Sequence, residues 1–222
     1  MYKFFVTRKE NNNFYFDDEQ LKHIKVLRIK ENETIYINYL NEYYECIYNA
    51  EKAKLIKKLD INNELKNEIT VCIPLIKQSN FEFAVQKAVE LGASKIIPFV
   101  SVYTDKSNYN VIKNIGRLEK IIFQATEQSF RNKICKLERL HTFDEIMDLE
   151  CKNKYLAHVN INNSEPFELI DNDALLIVGP EGGFNLKEIE TANKKSAKII
   201  SLTKSILRSE TALIYMLSRI KK

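Results

Sequence analysis

Two loops of the chain carry residue types and spacings that can do chemistry. The stretch "VGPEGGFNLKEIE", residues 178 to 190, gathers Gly179, Gly182 and Gly183 into one pentapeptide, although the 222-residue sequence has only 5 Gly in all. Glycine is required where φ must be positive or where another group must come close to the backbone, and a ligand is one such group. With Pro180 and Glu181 inside it, the loop can offer amides and carbonyls to a flat ligand such as adenine; a tight turn with no ligand explains the same residues equally well. Asn185 and Glu188 have the N-x-x-E spacing of a capping box, which assigns Glu188 to structure.

The second loop is "SLTKSILRSETA", residues 201 to 212, where a strand end turns into a helix. Arg208 and Glu210 stand at that turn, and a fixed guanidinium there can hold a phosphate or a polarised carbonyl. The plainer reading pairs Arg208 with Glu210 or Glu181. A third stretch, "ATEQSFRNK" (125 to 133), brings Glu127, Gln128, Ser129 and Arg131 together at the end of a helix, and composition alone favours a solvated helix end. No GxxxxGK[ST] occurs and "GPEGGF" is not GxGxxG, so the P-loop and the standard dinucleotide fold are unsupported. Cys46, Cys72, Cys135 and Cys151 are scattered, with no CxxC pair and no histidine at ligand spacing; they read as buried thiols, and no metal is expected.

The elements that must position these loops follow from periodicity. "TIYINYL" (34 to 40), "YYECIYNAE" (43 to 51) and "AKLIKKLD" (53 to 60) alternate as strands, with Asn41 and Glu42 as a tight turn, and Leu21, Ile24 and Leu27 mark a short helix before them. This is a small β-barrel or meander, followed by the polar linker "INNELKNE" (61 to 68). From residue 69 apolar strands alternate with helices: "ITVCIPLI", a helix ending at Gly92, "KIIPFV", a long helix over 110 to 129, "KYLAHV", "ALLIVG", a helix from about 186, "AKIISL" and a helix from about 209. That alternation predicts a parallel sheet covered on both faces, with ligands beyond the carboxyl ends of its strands. "GPEGG" directly follows "ALLIV" and falls at such an end.

The net charge is +4, unevenly spread. Residues 1 to 70 carry 12 basic and 12 acidic side chains, residues 71 to 140 carry 11 and 6, and residues 141 to 222 carry 11 and 12. The basic middle is compatible with a polyanionic partner. With 45% hydrophobic residues a soluble globular protein is expected, and neither a long apolar run nor a signal peptide is present, so the expected compartment is the cytoplasm and no membrane partner is expected.

"KAVELGASKIIPF", "ATEQSFR", "GPEGGFNLKE" and "LTKSILRSETA", in this order, with "HIKVLRIKENE" near the start, resemble the ribosomal RNA small-subunit methyltransferase E family of the SPOUT class. The resemblance covers most of the chain. It implies a PUA-like β-barrel over residues 1 to 65 that binds RNA, and an α/β domain over 69 to 222 with a parallel sheet and a deep trefoil knot. Such enzymes are homodimers that transfer a methyl group from S-adenosylmethionine to N3 of a uridine in 16S rRNA of the small ribosomal subunit. The cofactor cradle would comprise His158, the loop Gly179, Pro180, Glu181, Gly182 and Gly183, and the turn residues Leu202, Thr203, Ile206 and Leu207. Arg208 would stabilise developing charge, with Glu181 or Glu210 taking the proton or holding Arg208; Arg28, Gln128, Arg131 and Arg208 would face the RNA. Thr203 stands where the family usually has glycine, Ser205 where it has arginine, and Phe130 and Asn32 replace turn glycines. On that account the expectation includes altered cofactor binding, and an alternative in which the chain is an RNA-binding assembly factor with little activity.

Overall fold

The computed structural model describes residues 2–159, 165–167 and 169–221. They form two compact units, Met1–Glu64 with Thr126–Lys133, and Leu65–Ala125 with Ile134–Lys222. The sequence predicted one boundary and an unbroken second domain from 69 to 222. In the structure residues 126–133 group with the first unit.

The first unit holds β1 (Lys3–Phe5), β2 (Arg8–Glu10), β3 (Asn13–Tyr15), α1 (Asp18–Val26), β4 (Thr34–Tyr39), β5 (Glu42–Asn49) and β6 (Lys52–Leu59). The strands make a curled half-barrel in the order β1-β4-β5-β6-β3-β2, antiparallel except for β1 beside β4. β4 and β5 meet at Leu40 and Asn41, both at positive φ (53° and 65°), which is the backbone of a two-residue hairpin turn. Strand alternation buries Ile35 and Ile37 against Phe4, Phe14 and Ile24. β1 to β3 have three residues each, too few for a period to be read from sequence.

Residues 126–133 are tied in by a buried network. Arg131 is 3% exposed and its Nη2 lies 2.5 Å from Glu64 Oε2, while Glu64 Oε1 accepts the backbone N–H groups of Asn132 and Lys133. The Asn132 side chain donates to the carbonyls of Asn41 and Ile61 and accepts from the Asn63 N–H, and the Tyr43 hydroxyl donates to the Arg131 carbonyl. Phe130 adopts φ 60°, a conformation that costs a non-glycine residue about 1–2 kcal/mol. Its ring offsets this by packing 4.3 Å from the Tyr43 ring and under the Lys3 ammonium. Asn32 also takes positive φ (68°), which asparagine tolerates.

The second unit holds β7 (Ile69–Pro74), α2 (Gln78–Glu90), β8 (Lys95–Val100), a 3₁₀ segment (Lys106–Lys113), α3 (Ile115–Gln128, its last turn in the first unit), β9 (Lys136–Leu137), β10 (His141–Thr142), α4 (Phe143–Asp148), β11 (Lys154–Ala157), β12 (Glu165–Pro166), β13 (Ala174–Ile177), α5 (Leu186–Lys194), β14 (Lys198–Ser201) and α6 (Ser209–Ser218). The single helix expected over 110 to 129 is broken at Asn114, whose side chain accepts the Arg117 N–H and starts α3 afresh. The strands are parallel in the order β10-β8-β7-β13-β11-β14-β12, with β9 beside β8. Val71, Ile73, Leu176 and Val178 face the core built with α2, α3 and α6, whereas Cys72, Leu175 and Ile177 face the core shared with α4 and α5. Burial on both faces explains the near-continuous apolar strands. Cys46, Cys72 and Cys135 are buried, and none of the four cysteines is in a disulfide. Among the described residues no helix is long and apolar enough to cross a membrane.

The buried pair predicts a large asymmetry in stability. Glu64→Gln removes the carboxylate charge that faces the buried Arg131 guanidinium and is expected to cost about 3–5 kcal/mol by chemical denaturation. Glu42→Gln, which breaks an exposed pair with Lys58, should cost no more than about 1 kcal/mol.

Candidate functional site

Parallel register sets the site. β7, β13, β11 and β14 are successive neighbours, so the chain leaves all four at the same edge of the sheet. The segments that follow them are Lys77 to Asn80, the "GPEGG" loop, Ala157 to Val159, and the turn Leu202 to Leu207. All four line one cavity of about 740 Å³, within the range of small-molecule sites. It brings together every residue expected at the cofactor and the reacting centre: His158, Gly179, Pro180, Glu181, Gly182, Gly183, Leu202, Thr203, Ile206, Leu207, Arg208 and Glu210. Lys77, Asn80 and Ser209 also line it and were missed from sequence. The signal was available, since "PLIKQSN" follows a strand end just as "GPEGG" does.

Each glycine of the loop has its own internal reason. Gly183 has φ 69°. Gly182 needs no unusual φ, but a Cβ there would sit 2.8 Å from the Cβ of Tyr103. At Gly179 a Cβ would press on the Phe184 ring at 3.1 Å. The loop is fixed further by Ser209 Oγ, which donates to the Gly179 carbonyl at 2.5 Å and joins the starts of two segments in the cavity wall. Glu188 is structural, as its spacing indicated. It is buried, exchanges capping hydrogen bonds with Asn185, and accepts the Val102 N–H at 3.0 Å.

Helix starts distinguish the cavity electrostatically. The first amides of any helix lack intrahelical partners and carry partial positive charge. α1, α3, α4 and α5 begin on side-chain caps from Asp17, Asn114, Thr142 and Asn185. α2 and α6 begin on Lys77 and Arg208, which supply no cap, and both starts lie in the cavity wall. Two uncapped helix starts and two cations therefore favour a negatively charged or electron-rich group here. Lys77 and Arg208 are exposed and form no ion pair among the described residues, so the pairing of Arg208 with Glu181 or Glu210 is not what the structure has. Burial lowers the pKa of His158, and its backbone N–H donates to the Ile200 carbonyl.

Thr203 takes no positive φ, and its hydroxyl donates to the Ser205 carbonyl at 2.7 Å, closing the turn. Of the expected RNA contacts, Arg28 and Gln128 are exposed residues of the first unit and lie outside the cavity lining. Arg131 differs from expectation: it is buried against Glu64, because a carboxylate 67 positions away in sequence takes its guanidinium. Glu127, from the same stretch, is also inside the first unit. Burial pushes its carboxyl up to about 7, against the Phe5 N–H and the Lys3 charge, which act to lower it.

The fold and the cavity define an α/β protein with a ligand site at the carboxyl edge of a parallel sheet, and the family model that matches residues 63–221 is that of an RNA methyltransferase domain. Similarity to characterised proteins runs the full length. The chain is 38% identical to a ribosomal RNA small subunit methyltransferase E of Mesomycoplasma hyopneumoniae over 99% of its own length and 98% of the relative's. It is 30% identical to the one from Rickettsia conorii over 92% and 87%. It belongs to the ribosomal RNA small subunit methyltransferase E family. A crystal structure of the Neisseria gonorrhoeae family member bound to S-adenosyl methionine superposes with a TM-score of 0.88, covering 98% of this chain and 95% of that one at 24% identity, and so shares the fold.

The glycine geometry is testable. Gly183→Ala keeps open space around the new methyl group but strains the backbone, and is expected to destabilise the second unit by about 1–2 kcal/mol in denaturant. Gly182→Ala should destabilise it through the clash with Tyr103, and Gly182→Ala combined with Tyr103→Gly should recover part of that loss.

Proposed function

We propose that this protein transfers the methyl group of S-adenosylmethionine to N3 of a uridine in 16S rRNA of the small ribosomal subunit. The observation that carries this reading is the single cavity into which all the cofactor and reaction residues inferred from the family motifs converge. The residues fit the cofactor: Leu202, Leu207, Ala157 and Ala212 provide apolar wall for an adenine, and the uncapped starts of α2 and α6 suit its carboxylate. When bound, the sulfonium supplies an already activated methyl group, and no metal is needed.

The protein's own task is alignment and charge. The cavity walls orient donor and acceptor and exclude water. Uridine N3 must lose its proton as the new bond forms, and negative charge develops on the flanking carbonyls. We assign the stabilisation of that charge to Arg208, which is exposed and forms no ion pair among the described residues at the start of α6. Glu181 and Glu210, in the same lining, are the candidates for accepting the proton, and His158 forms part of the cofactor edge. The ordinary backbone of Thr203 supports retained cofactor binding and weakens the alternative of an inactive assembly factor.

With this reading come a trefoil-knotted path for the C-terminal part, a cytoplasmic homodimer, and RNA contacts through Arg28 and Gln128. In place of an RNA contact, Arg131 holds the "TEQSFRNK" segment within the first unit. The test is transfer of labelled methyl from S-adenosylmethionine to unmethylated small subunits, with mass mapping of the nucleoside. 3-Methyluridine at one 16S position is expected. Arg208→Ala should lower kcat about 100-fold or more while changing the cofactor Kd only a few-fold; a different nucleoside, or full activity of the variant, would count against the proposal.

A further inference from the structure

Tyr103 lies in the loop after β8, away from every motif that marks the cavity, yet it touches the cavity loop directly. Its Cβ, Cγ and Cδ2 all crowd the space that a side chain at Gly182 would fill, so the base of the tyrosine lies on the "GPEGG" backbone. One edge of the ring rests there, and the residue as a whole is 54% exposed.

The turn that presents it is held from several sides. The Ser101 N–H donates to Thr104 Oγ1 at 2.9 Å, and the Thr104 N–H donates back to the Ser101 carbonyl at 3.0 Å. The Val102 N–H is fixed by buried Glu188, whose other oxygen caps α5. A large aromatic held out to solvent by a pinned turn pays little ordering entropy when something stacks on it. Val102 beside it is 65% exposed, and Val159 and Ile206 on the cavity rim are 56% and 79% exposed.

We infer that Tyr103 is a stacking platform for a nucleobase of the single-stranded RNA segment whose target uridine enters the cavity. This rests on the RNA methylation reading above and deepens it. Chemistry on a base requires that base to be out of its stack, and sequence-tolerant grip on the neighbouring strand comes from aromatic side chains. The cations that accompany such a platform are present, since Lys77 and Arg208 line the adjoining cavity; Glu181 and Glu210 are the acidic residues of the same lining.

The absence of tryptophan from the sequence gives a direct readout. In Tyr103→Trp the new indole is the only one, and its fluorescence is expected to be quenched by a single-stranded RNA carrying the methylated 16S segment but not by the same RNA made abasic. Tyr103→Ala should weaken RNA binding about 5- to 150-fold with the S-adenosylmethionine Kd unchanged, and Tyr103→Phe should restore it. If the wild type methylates RNA while the indole ignores it and Tyr103→Ala binds it normally, the stacking role is wrong. An indole signal that follows protein concentration in the absence of RNA also overturns it, by placing a second copy of the chain on the ring. If the wild type neither binds nor methylates RNA, the functional reading fails first and takes this inference with it.

Discussion

Everything at the site depends on parallel register. Because β7, β13, β11 and β14 run side by side in the same direction, four segments far apart in sequence leave the sheet at one edge. In an antiparallel sheet half of them would exit at the other edge, and no combination of glycines and arginines would make a cavity. The near-continuous apolar strands that force helices onto both faces also force crossover connections, and those crossovers deliver the loops to a common place. The site follows from the packing of the core.

Within that frame the protein spends polar groups selectively. Glu188, in the middle of a recognisable loop motif, is used to cap a helix and pin Val102, so one buried carboxylate orders segments from both sides of the cavity loop. The starts of α1, α3, α4 and α5 carry side-chain caps; at the two helix starts that border the cavity the cap position is held by Lys77 and Arg208. The amides left over there are available to a ligand. Ser209 turns its hydroxyl to the Gly179 carbonyl instead of to its own helix, binding the loops after β13 and β14 to each other.

Local features were legible in the sequence because their causes are local. The Asn185 to Glu188 cap, the strands Thr34–Tyr39, Glu42–Asn49 and Lys52–Leu59, and the tolerance of Asn32 for positive φ all depend on near neighbours. Features decided by distant partners were not legible. Arg131 looks like a surface cation until Glu64 folds beside it, and Gly182 looks like a ligand glycine until Tyr103 arrives 79 positions away from it in sequence. Phe130 breaks a local rule, and the rings of Tyr36 and Tyr43 with the Lys3 ammonium make that intelligible. The residues of the cavity itself were found through resemblance to a family; periodicity located the strand ends but could not say that four of them adjoin.

The central claim is that one cavity, bounded by the ends of β11, β13 and β14, takes S-adenosylmethionine. Amide hydrogen exchange with and without the cofactor tests it most directly. Slowed exchange confined to residues 77–80, 157–159, 179–183 and 202–210 is the predicted result. Protection centred anywhere else, or none at saturating cofactor, would contradict the account.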